Sequence, residues 1–364
     1  MLLALLLVVL TVGVFVPSGA ALGERLSRML IAEDAPGVKK MNCVSEEKTT
    51  APSAASETPA LTEPETTAAP GHDDGFADIK KLQSEYIASV AGKTPAGTVS
   101  EEFFVTNGAT DILGNVAVKN ATATKKPDFS ALLASGAPLE KAVLSSPTVL
   151  IFHTHTTESY LLADDGVFYK DYATRSADPG RNMVRVGDEI CRVLEEHGIG
   201  VIHDTKIYDE TYNGAYARSR ETVLGYLEKY PTVQVVLDVH RDAIYYSDTE
   251  HCKPTAVING EKAAQVMIIT GAEEGQITDF PHWEENLKFA LALQKTAQDR
   301  YEGLMRPIYF CQRKYNMDTA LCSLLLEIGT DANTLEEACR SARMIGDSLA
   351  EIIERGSENE EKQE

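Results

Sequence analysis

The sequence has no run rich in lysine or arginine, no Cys-x-x-Cys pair and no internal repeat. Its 34 Lys and Arg residues are outnumbered by 55 Asp and Glu residues, so the formal net charge is −21. Such a chain repels phosphate backbones, and we expect no nucleic-acid partner. Six cysteines in 364 residues are too sparse for a disulfide framework, so we expect mostly free or buried thiols.

The N-terminal segment, residues 1–22, contains no charged side chain and is dominated by Leu, Val and Ala. As a helix it would be about 33 Å long, enough to cross a bilayer core of about 30 Å. We therefore predict a transmembrane anchor. A cleaved signal peptide, with Ser18-Gly19-Ala20 as the cleavage site, is the alternative. In both cases we expect the bulk of the protein outside the cytoplasm, either held at the cell membrane or secreted.

A low-complexity segment follows the hydrophobic start. Between residues 45 and 74, 19 of 30 residues are Ala, Thr, Pro or Ser, and this composition cannot bury enough apolar surface to fold. We predict a disordered linker over residues 23–78, and then a small accessory region over residues 79–146. The elements expected in the accessory region are short strands at 103–105 and 116–118 and a short helix at 128–133.

Residues 147–355 alternate strand-like and helix-like segments, which is typical of an α/β domain. Largely apolar runs at 148–152, 233–237 and 324–326 have the composition of strands that are buried on both faces. We predict a mostly parallel sheet with helices on both faces, followed by a polar tail at 356–364.

Each of these apolar runs ends in side chains that can carry charge or bind a metal. They are His153, His155 and Glu158 after the first run, Asp238, His240, Arg241 and Asp242 after the second, and Glu327 after the third. Ligands bind beyond the carboxyl ends of the strands in an open parallel sheet, so we expect one common site. A divalent metal would offset the cost of burying these groups, and two His with one Glu form a catalytic zinc ligand set. The spacing allows His153 or His155 as a ligand, with Glu158 and His240, and leaves Glu327 as a free carboxylate.

Several sequence blocks in this region form an ordered series. They read VLIFHTHTTESY at 149–160, NMVRVGD at 182–188, YNGAYARSRET at 212–222, DVHRDA at 238–243, WEENLKFA at 283–290, RKYN at 313–316 and LEIG at 326–329. In this order they resemble the stage II sporulation protein P family. The hydrophobic start and the low-complexity linker also suit that family.

The resemblance implies a membrane-anchored peptidoglycan hydrolase that acts during engulfment in sporulation, with a fold similar to zinc N-acetylmuramoyl-L-alanine amidases. Members cut the amide between N-acetylmuramic acid and the stem peptide, and are credited with endopeptidase activity on cross-links. Stage II sporulation proteins D and M are the implied partners. Carried over by motif, His155, Glu158 and His240 would bind Zn²⁺ and Glu327 would be the catalytic carboxylate. Arg241 would help to stabilise the oxyanion.

The resemblance also favours His155 over His153, because the first zinc ligand of the amidases falls at that place after the first strand. Where family members usually read Tyr-Asn-Gln, this chain has Tyr315-Asn316-Met317. If that position contacts the stem peptide, the substrate preference of this chain differs. His203 shows no partner pattern in the sequence, and we expect it at the surface.

Two other functions remain open from the sequence. A degenerate site on the same fold would make a non-catalytic module that binds peptidoglycan or a partner protein. A metallopeptidase that acts only on stem peptides, without cutting the muramoyl amide, is the other alternative. The presence of Glu158, His240 and Glu327 together favours an enzyme over a binding module.

Overall fold

The computed structural model describes residues 75–142 and 146–361, with side chains as far as residue 356. The predicted transmembrane or signal segment at 1–22 and almost all of the predicted linker at 23–78 lie outside the described residues. Within the described residues, no helix combines the length and the apolar character needed to cross a bilayer.

The described residues form an α/β structure, whose elements are numbered in chain order. The helices are α1 Ala77–Val90, α2 Phe129–Ser135, α3 Met183–Glu196, α4 Ala215–Lys229, α5 Trp283–Arg300 and α6 Leu335–Glu361. The strands are β1 Gly97–Glu102, β2 Asp111–Leu113, β3 Val116–Asn120, β4 Pro147–Phe152, β5 Val167–Phe168, β6 Gly200–His203, β7 Val235–Asp242, β8 Ile244–Ser247, β9 Glu250–Ile258, β10 Glu261–Ala264, β11 Val266–Gly271, β12 Ile308–Cys311 and β13 Cys322–Thr330. A short 3-10 helix covers Met317–Thr319.

An eight-stranded sheet lies at the centre, in the order β2-β3-β12-β11-β13-β7-β4-β6. Its neighbouring strands are parallel, except in the β2–β3 and β11–β13 pairs. The prediction of a mostly parallel sheet is therefore confirmed. The three apolar runs of the sequence correspond to β4, β7 and β13, which are adjacent and parallel, so their carboxyl ends lie at one edge of the sheet.

Helices cover both faces of this sheet, as predicted. On β4, Val149 and Ile151 belong to the main hydrophobic core, which includes side chains of α3, α5 and α6. Leu150 and Phe152 point to the opposite face, where they pack with Val223 of α4. Successive side chains of a strand alternate between faces, so a strand covered on both faces is apolar throughout.

A five-stranded sheet contains β10, β9, β1 and β5 in that order, with β8 also pairing with β9. Residues of the predicted accessory region contribute to both sheets, because β1 pairs with β9 and β3 pairs with β12. The helix predicted at 128–133 is confirmed as α2. Its N-cap is Asp128, whose Oδ1 accepts a hydrogen bond from the backbone N–H of Ala131 at 3.0 Å.

Two elements between residues 77 and 105 differ from what the sequence predicts. The prediction of a strand at 103–105 is wrong, because β1 ends at Glu102 and Phe103 is exposed. Helix α1 is not predicted by the sequence at all. Its buried side chains Ile79, Tyr86 and Val90 and the partly buried Leu82 follow the spacing of one helix face, which the sequence prediction missed.

The cysteines of the described residues are reduced and inaccessible, as expected. Cys191, Cys252, Cys311, Cys322 and Cys339 are all free and buried. Burial raises the pKa of the Cys252 thiol to about 11, so this thiol stays protonated at neutral pH.

Glu189 joins α3 to α6 through a cluster of ion pairs. Its carboxylate accepts hydrogen bonds from Nε of Arg343 on α6 at 2.5 Å and from Nη1 of Arg185 on its own helix at 2.7 Å. Nη2 of Arg192 lies 3.1 Å away. Burial raises the pKa of Glu189, but the hydrogen bonds from Arg343 and Arg185 outweigh burial and hold the pKa below its usual value.

We expect Glu189→Gln to lower the free energy of unfolding by about 2 kcal/mol, because the substitution removes the buried negative charge that Arg343 and Arg185 contact. Since the folded pKa is lowered, this contribution is fully present above the pKa of the unfolded carboxyl and is lost as the pH falls through the folded pKa. Urea unfolding at neutral pH and at about pH 3 measures the difference between variant and parent, which should shrink in acid.

Glu196→Gln is the matched control for this experiment. Glu196 is an exposed carboxylate on the same helix and pairs with Arg192, so its loss should change the unfolding free energy by less than about 0.5 kcal/mol. Equal destabilisation by both substitutions would contradict the role of the buried cluster.

Candidate functional site

The carboxyl ends of β4, β7 and β13 bring the predicted site residues to one edge of the sheet. In the β7–β13 pair, His240 lies directly opposite Glu327. Strand β4 ends at Phe152, and the turn that follows it carries His155 and Glu158. The sequence therefore predicted correctly that these ends share one edge.

Three of these side chains form a cluster that could hold a metal ion. His155, Glu158 and His240 each offer one ligand atom, and these atoms lie within 4.8 Å of one another. Nδ1 of His155 is 3.5 Å from Oε1 of Glu158, and Nδ1 of His240 is 3.4 Å from Oε2 of the same carboxylate. All three residues are buried. Two imidazoles and one carboxylate are a donor set that fits a divalent transition metal.

Asp238 orients the ring of His240. Its Oδ1 lies 2.7 Å from Nε2 of His240, and this is an ion-pair contact, because Nε2 makes no hydrogen bond within the described residues. Thr154 fixes the Asp238 carboxylate by donating from its backbone N–H at 2.8 Å and from its hydroxyl at 2.6 Å. Partners of this kind set which imidazole nitrogen faces a metal. Asp242, the other aspartate after this strand's apolar run, pairs instead with Arg306 at 2.9 Å.

Glu158 is held in its charged form. The backbone N–H of Arg241 donates to Oε2 at 3.3 Å, and Nη2 of Arg175 donates to Oε1 at 3.4 Å. Burial raises the pKa of Glu158, but the charge of Arg241 and the hydrogen bonds from His155 and His240 outweigh burial and hold the pKa well below its usual range. A carboxylate that stays ionised is suited to binding a cation.

Arg241 is buried beside the cluster. Its Nη2 donates to the backbone carbonyl of Thr174 at 3.0 Å, and its Nε to that of Ser159 at 3.4 Å. Nη1 lies 3.9 Å from Oε1 of Glu158. These contacts tie the segment after β4 to β7. The predicted part of Arg241 in stabilising an oxyanion stays a prediction.

Glu327 has the opposite environment to Glu158. It is buried, and its Oε2 has no hydrogen-bond partner among the described residues. Burial, together with the charge of Asp242, raises the pKa of Glu327 to about 8. Glu327 thus combines an available oxygen with a pKa near neutrality, which is what a group that accepts and returns a proton requires.

His153, the alternative ligand of the sequence analysis, lies outside the cluster. Its Nδ1 is 2.9 Å from the backbone oxygen of Val239, and its Nε2 is 2.9 Å from Nε2 of His203. His203 in turn lies 3.0 Å from Asp188, and its side chain is only 13% exposed, so the expected surface position of His203 is wrong. A Cβ added at Gly187 on α3 would lie 2.7 Å and 2.5 Å from the Nε2 atoms of these two histidines.

Three tyrosines surround the histidines of the cluster, and nothing in the sequence marks them as functional beyond their place in the family blocks. The ring of Tyr212 stacks on His155 with centroids 4.8 Å apart. Tyr216 meets His155 edge-on at 5.5 Å and lies parallel to His240 at 6.4 Å. Tyr315 stacks on Tyr216 at 5.2 Å. A cavity of about 270 Å³ opens here, lined by these tyrosines, the cluster and Glu327.

The sequence model of the family described as Stage II sporulation protein P (SpoIIP) matches residues 38–353. The chain belongs to this family. Stage II sporulation protein P of Bacillus subtilis (strain 168) is 32% identical over 227 residues, which is 59% of this chain and 53% of that protein. The chain therefore matches about half the length of this SpoIIP relative.

Solved structures of amidases also show some similarity to this SpoIIP chain. AmiC2, an N-acetylmuramoyl-L-alanine amidase of Nostoc punctiforme, is 14% identical, with 59% of this chain and 97% of that chain covered and a TM-score of 0.33. The CwlD amidase from Clostridioides difficile, solved with the GerS lipoprotein, is 11% identical, with 57% and 98% covered and a TM-score of 0.35. The family membership rests on the SpoIIP match and not on these weak similarities.

We expect the metal-free chain to bind one divalent transition-metal ion, and His240→Ala to abolish this binding. Asp238→Asn should weaken it by about 10–100-fold, because the ring of His240 loses the partner that orients it. Calorimetric titration with Zn²⁺ and Co²⁺ measures both effects. His282→Ala, at an exposed histidine before α5, is the control and should bind as the parent does. Unchanged affinity in His240→Ala would show that the cluster is not the site.

Proposed function

We propose that this SpoIIP chain is a zinc-dependent N-acetylmuramoyl-L-alanine amidase that acts on peptidoglycan in sporulation. The observation that carries the proposal is the pairing of two functions in one cavity. His155, Glu158 and His240 form a metal-ligand set, and the unpartnered carboxylate of Glu327 lines the same cavity. A binding module has no need for a buried carboxylate that is left without a partner.

The fit of the cluster to zinc follows from its donors. Glu158 is ionised, the two histidines offer Nδ1 atoms toward it, and Asp238 holds His240 from behind. Zinc in such a site polarises a carbonyl and lowers the pKa of water to about 7. The ligand set and the carboxylate beside it are those of a metal-assisted hydrolase of amides.

Glu327 carries the proton transfers in this proposal. It accepts a proton from the attacking water and delivers it to the nitrogen of the leaving peptide. Its position opposite His240 across the strand pair places it next to the cluster. Burial without a partner raises the pKa of Glu327, so the carboxyl can hold the proton between the two transfers.

The setting of the reaction is part of the same proposal. Residues 1–22 would anchor the chain in the cell membrane, and the folded part would reach peptidoglycan outside the cytoplasm through the linker. Engulfment is the stage of sporulation that the family resemblance implies, with stage II sporulation proteins D and M as partners. Endopeptidase activity on cross-links is included as a second activity of the same site.

We expect Glu327→Gln to slow muramoyl-amide cleavage at least about 100-fold, because the amide cannot accept the proton of the water. The zinc content of the variant should stay that of the parent. Mass spectrometry of the muropeptides released from purified cell walls, with and without chelator, measures the products. Glu284→Gln, at an exposed carboxylate at the start of α5, should leave the rate unchanged.

The products separate the proposal from its alternatives. Free lactyl ends on the glycan support an amidase. Shortened or uncross-linked peptides alone would identify a metallopeptidase, and no products from a zinc-loaded parent would leave a binding module. Full activity of Glu327→Gln would remove Glu327 from the mechanism.

A further inference from the structure

The cavity extends from the metal cluster across the sheet as far as β3. In one row of the sheet, Leu325 pairs with Ile269, Ile269 with Tyr309, and Tyr309 with Lys119. All four residues line the cavity. Neighbouring strands are about 4.8 Å apart, so three steps place Lys119 roughly 14 Å from Leu325, which lies on the same strand as Glu327.

The floor of this extension is apolar. Met267 lies opposite Glu327 in the β11–β13 pair, and it lines the cavity together with Ile269 and Leu325. An extended chain advances about 3.3 Å per residue, so roughly four residues of peptide span the floor from the reacting bond to Lys119.

Two cations without a carboxylate partner stand around this floor. Lys119 and Arg313 are half-buried and line the cavity, and no carboxylate of the described residues lies within 4.0 Å of either. The Nζ of Lys119 sits 5.3 Å from the centre of the Tyr309 ring. Nη1 of Arg313 donates to the backbone oxygen of Gln312 at 3.1 Å, and its side chain also hydrogen-bonds Tyr315.

Other arginines near the site are neutralised within the protein. Arg306 lines the same cavity but pairs with Asp242, and Arg220 makes two hydrogen bonds of 2.7 Å to Asp318. Lys119 and Arg313 differ from these two arginines because no carboxylate of the described residues lies within 4.0 Å of them, although the net charge of the chain is −21. Charge of this kind in a cavity is suited to an anionic ligand.

We propose that Lys119 and Arg313 form a subsite for the carboxylates of a short acidic peptide that lies extended over β13, β11, β12 and β3. This inference rests on the proposed function, because in a muramoyl peptide the free carboxylates are on the peptide side of the amide. Through this subsite, the chain recognises the charge of the peptide part of the substrate and not the glycan part.

The test is a binding measurement in the full-length Glu327→Gln chain, which holds the probe without cleaving it. The probes are N-acetylmuramoyl tetrapeptide with free carboxylates and the same compound with carboxamides. We expect Arg313→Gln and Lys119→Gln each to weaken the carboxylate probe about tenfold in calorimetric titration, since a hydrogen bond to a charged group is lost. The carboxamide probe should bind weakly to the Glu327→Gln chain. Its affinity should change less than about twofold when Arg313→Gln or Lys119→Gln is added.

Two further variants control for charge and folding. Lys125→Gln removes a cation whose Nζ lies over the Trp283 ring and which does not line the cavity, so it should bind both probes as the parent does. Arg313→Lys keeps the positive charge and should retain more affinity than Arg313→Gln. Far-ultraviolet circular dichroism of each variant shows that it is folded.

The outcomes separate this inference from the proposed function. If the parent chain cleaves the muramoyl amide but the variants bind both probes with parental affinity, the subsite is wrong and the amidase stands. If the parent neither cleaves walls nor binds the carboxylate probe, the proposed function and the subsite fall together.

Discussion

The parallel pairing of β4, β7 and β13 is the constraint on which the site depends. This pairing places His240 opposite Glu327. The turn that carries His155 and Glu158 begins at the same edge, where β4 ends. A slip of one residue in such a pair would turn every side chain of a strand to the other face. In β4 that slip would exchange Val149 and Ile151 of one core with Leu150 and Phe152 of the other, and the close packing of both cores opposes such an exchange of side-chain shapes. The packing of the sheet is therefore also what aligns His240 with Glu327.

The electrostatics of the site divide two glutamates between two tasks. Glu158 is surrounded by Arg175, Arg241 and the two histidines, which keep it ionised. Glu327 lies in the same cavity without a hydrogen-bond partner for Oε2, and its pKa is raised. Carboxyl groups whose surroundings move their pKa values apart are typical of sites where one holds charge and the other moves protons. The fold produces this difference by bringing Arg175 and Arg241 within 4.0 Å of Glu158, whereas no arginine or lysine of the described residues lies within 4.0 Å of Glu327.

The sequence predicts the parts of this structure that depend on local pattern. Apolar runs that end in titratable groups identify β4, β7 and β13, and the edge they share. What it does not show depends on contacts between distant segments. The antiparallel insertion of β11 beside β13 leaves no local trace. The same holds for the rings that Tyr212 and Tyr216 place around His155. The spacing left both His153 and His155 open as ligands, and only the family resemblance favoured His155. The residues of a turn point in different directions, and only the packing around His153 shows that it bonds to His203 and the backbone of β7.

Gly187 shows how far the influence of the cluster reaches. It lies on α3 and does not line the cavity, yet the bare hydrogen at this position lets the helix approach His153 and His203 closely. His153 stands two residues before His155, at the start of the segment that supplies the first ligand. Replacing Gly187 with a better helix former would add a Cβ that collides with His153 and His203 and would displace this segment. Mutational tolerance of the cluster is therefore set partly by a helix position that lies outside the cavity.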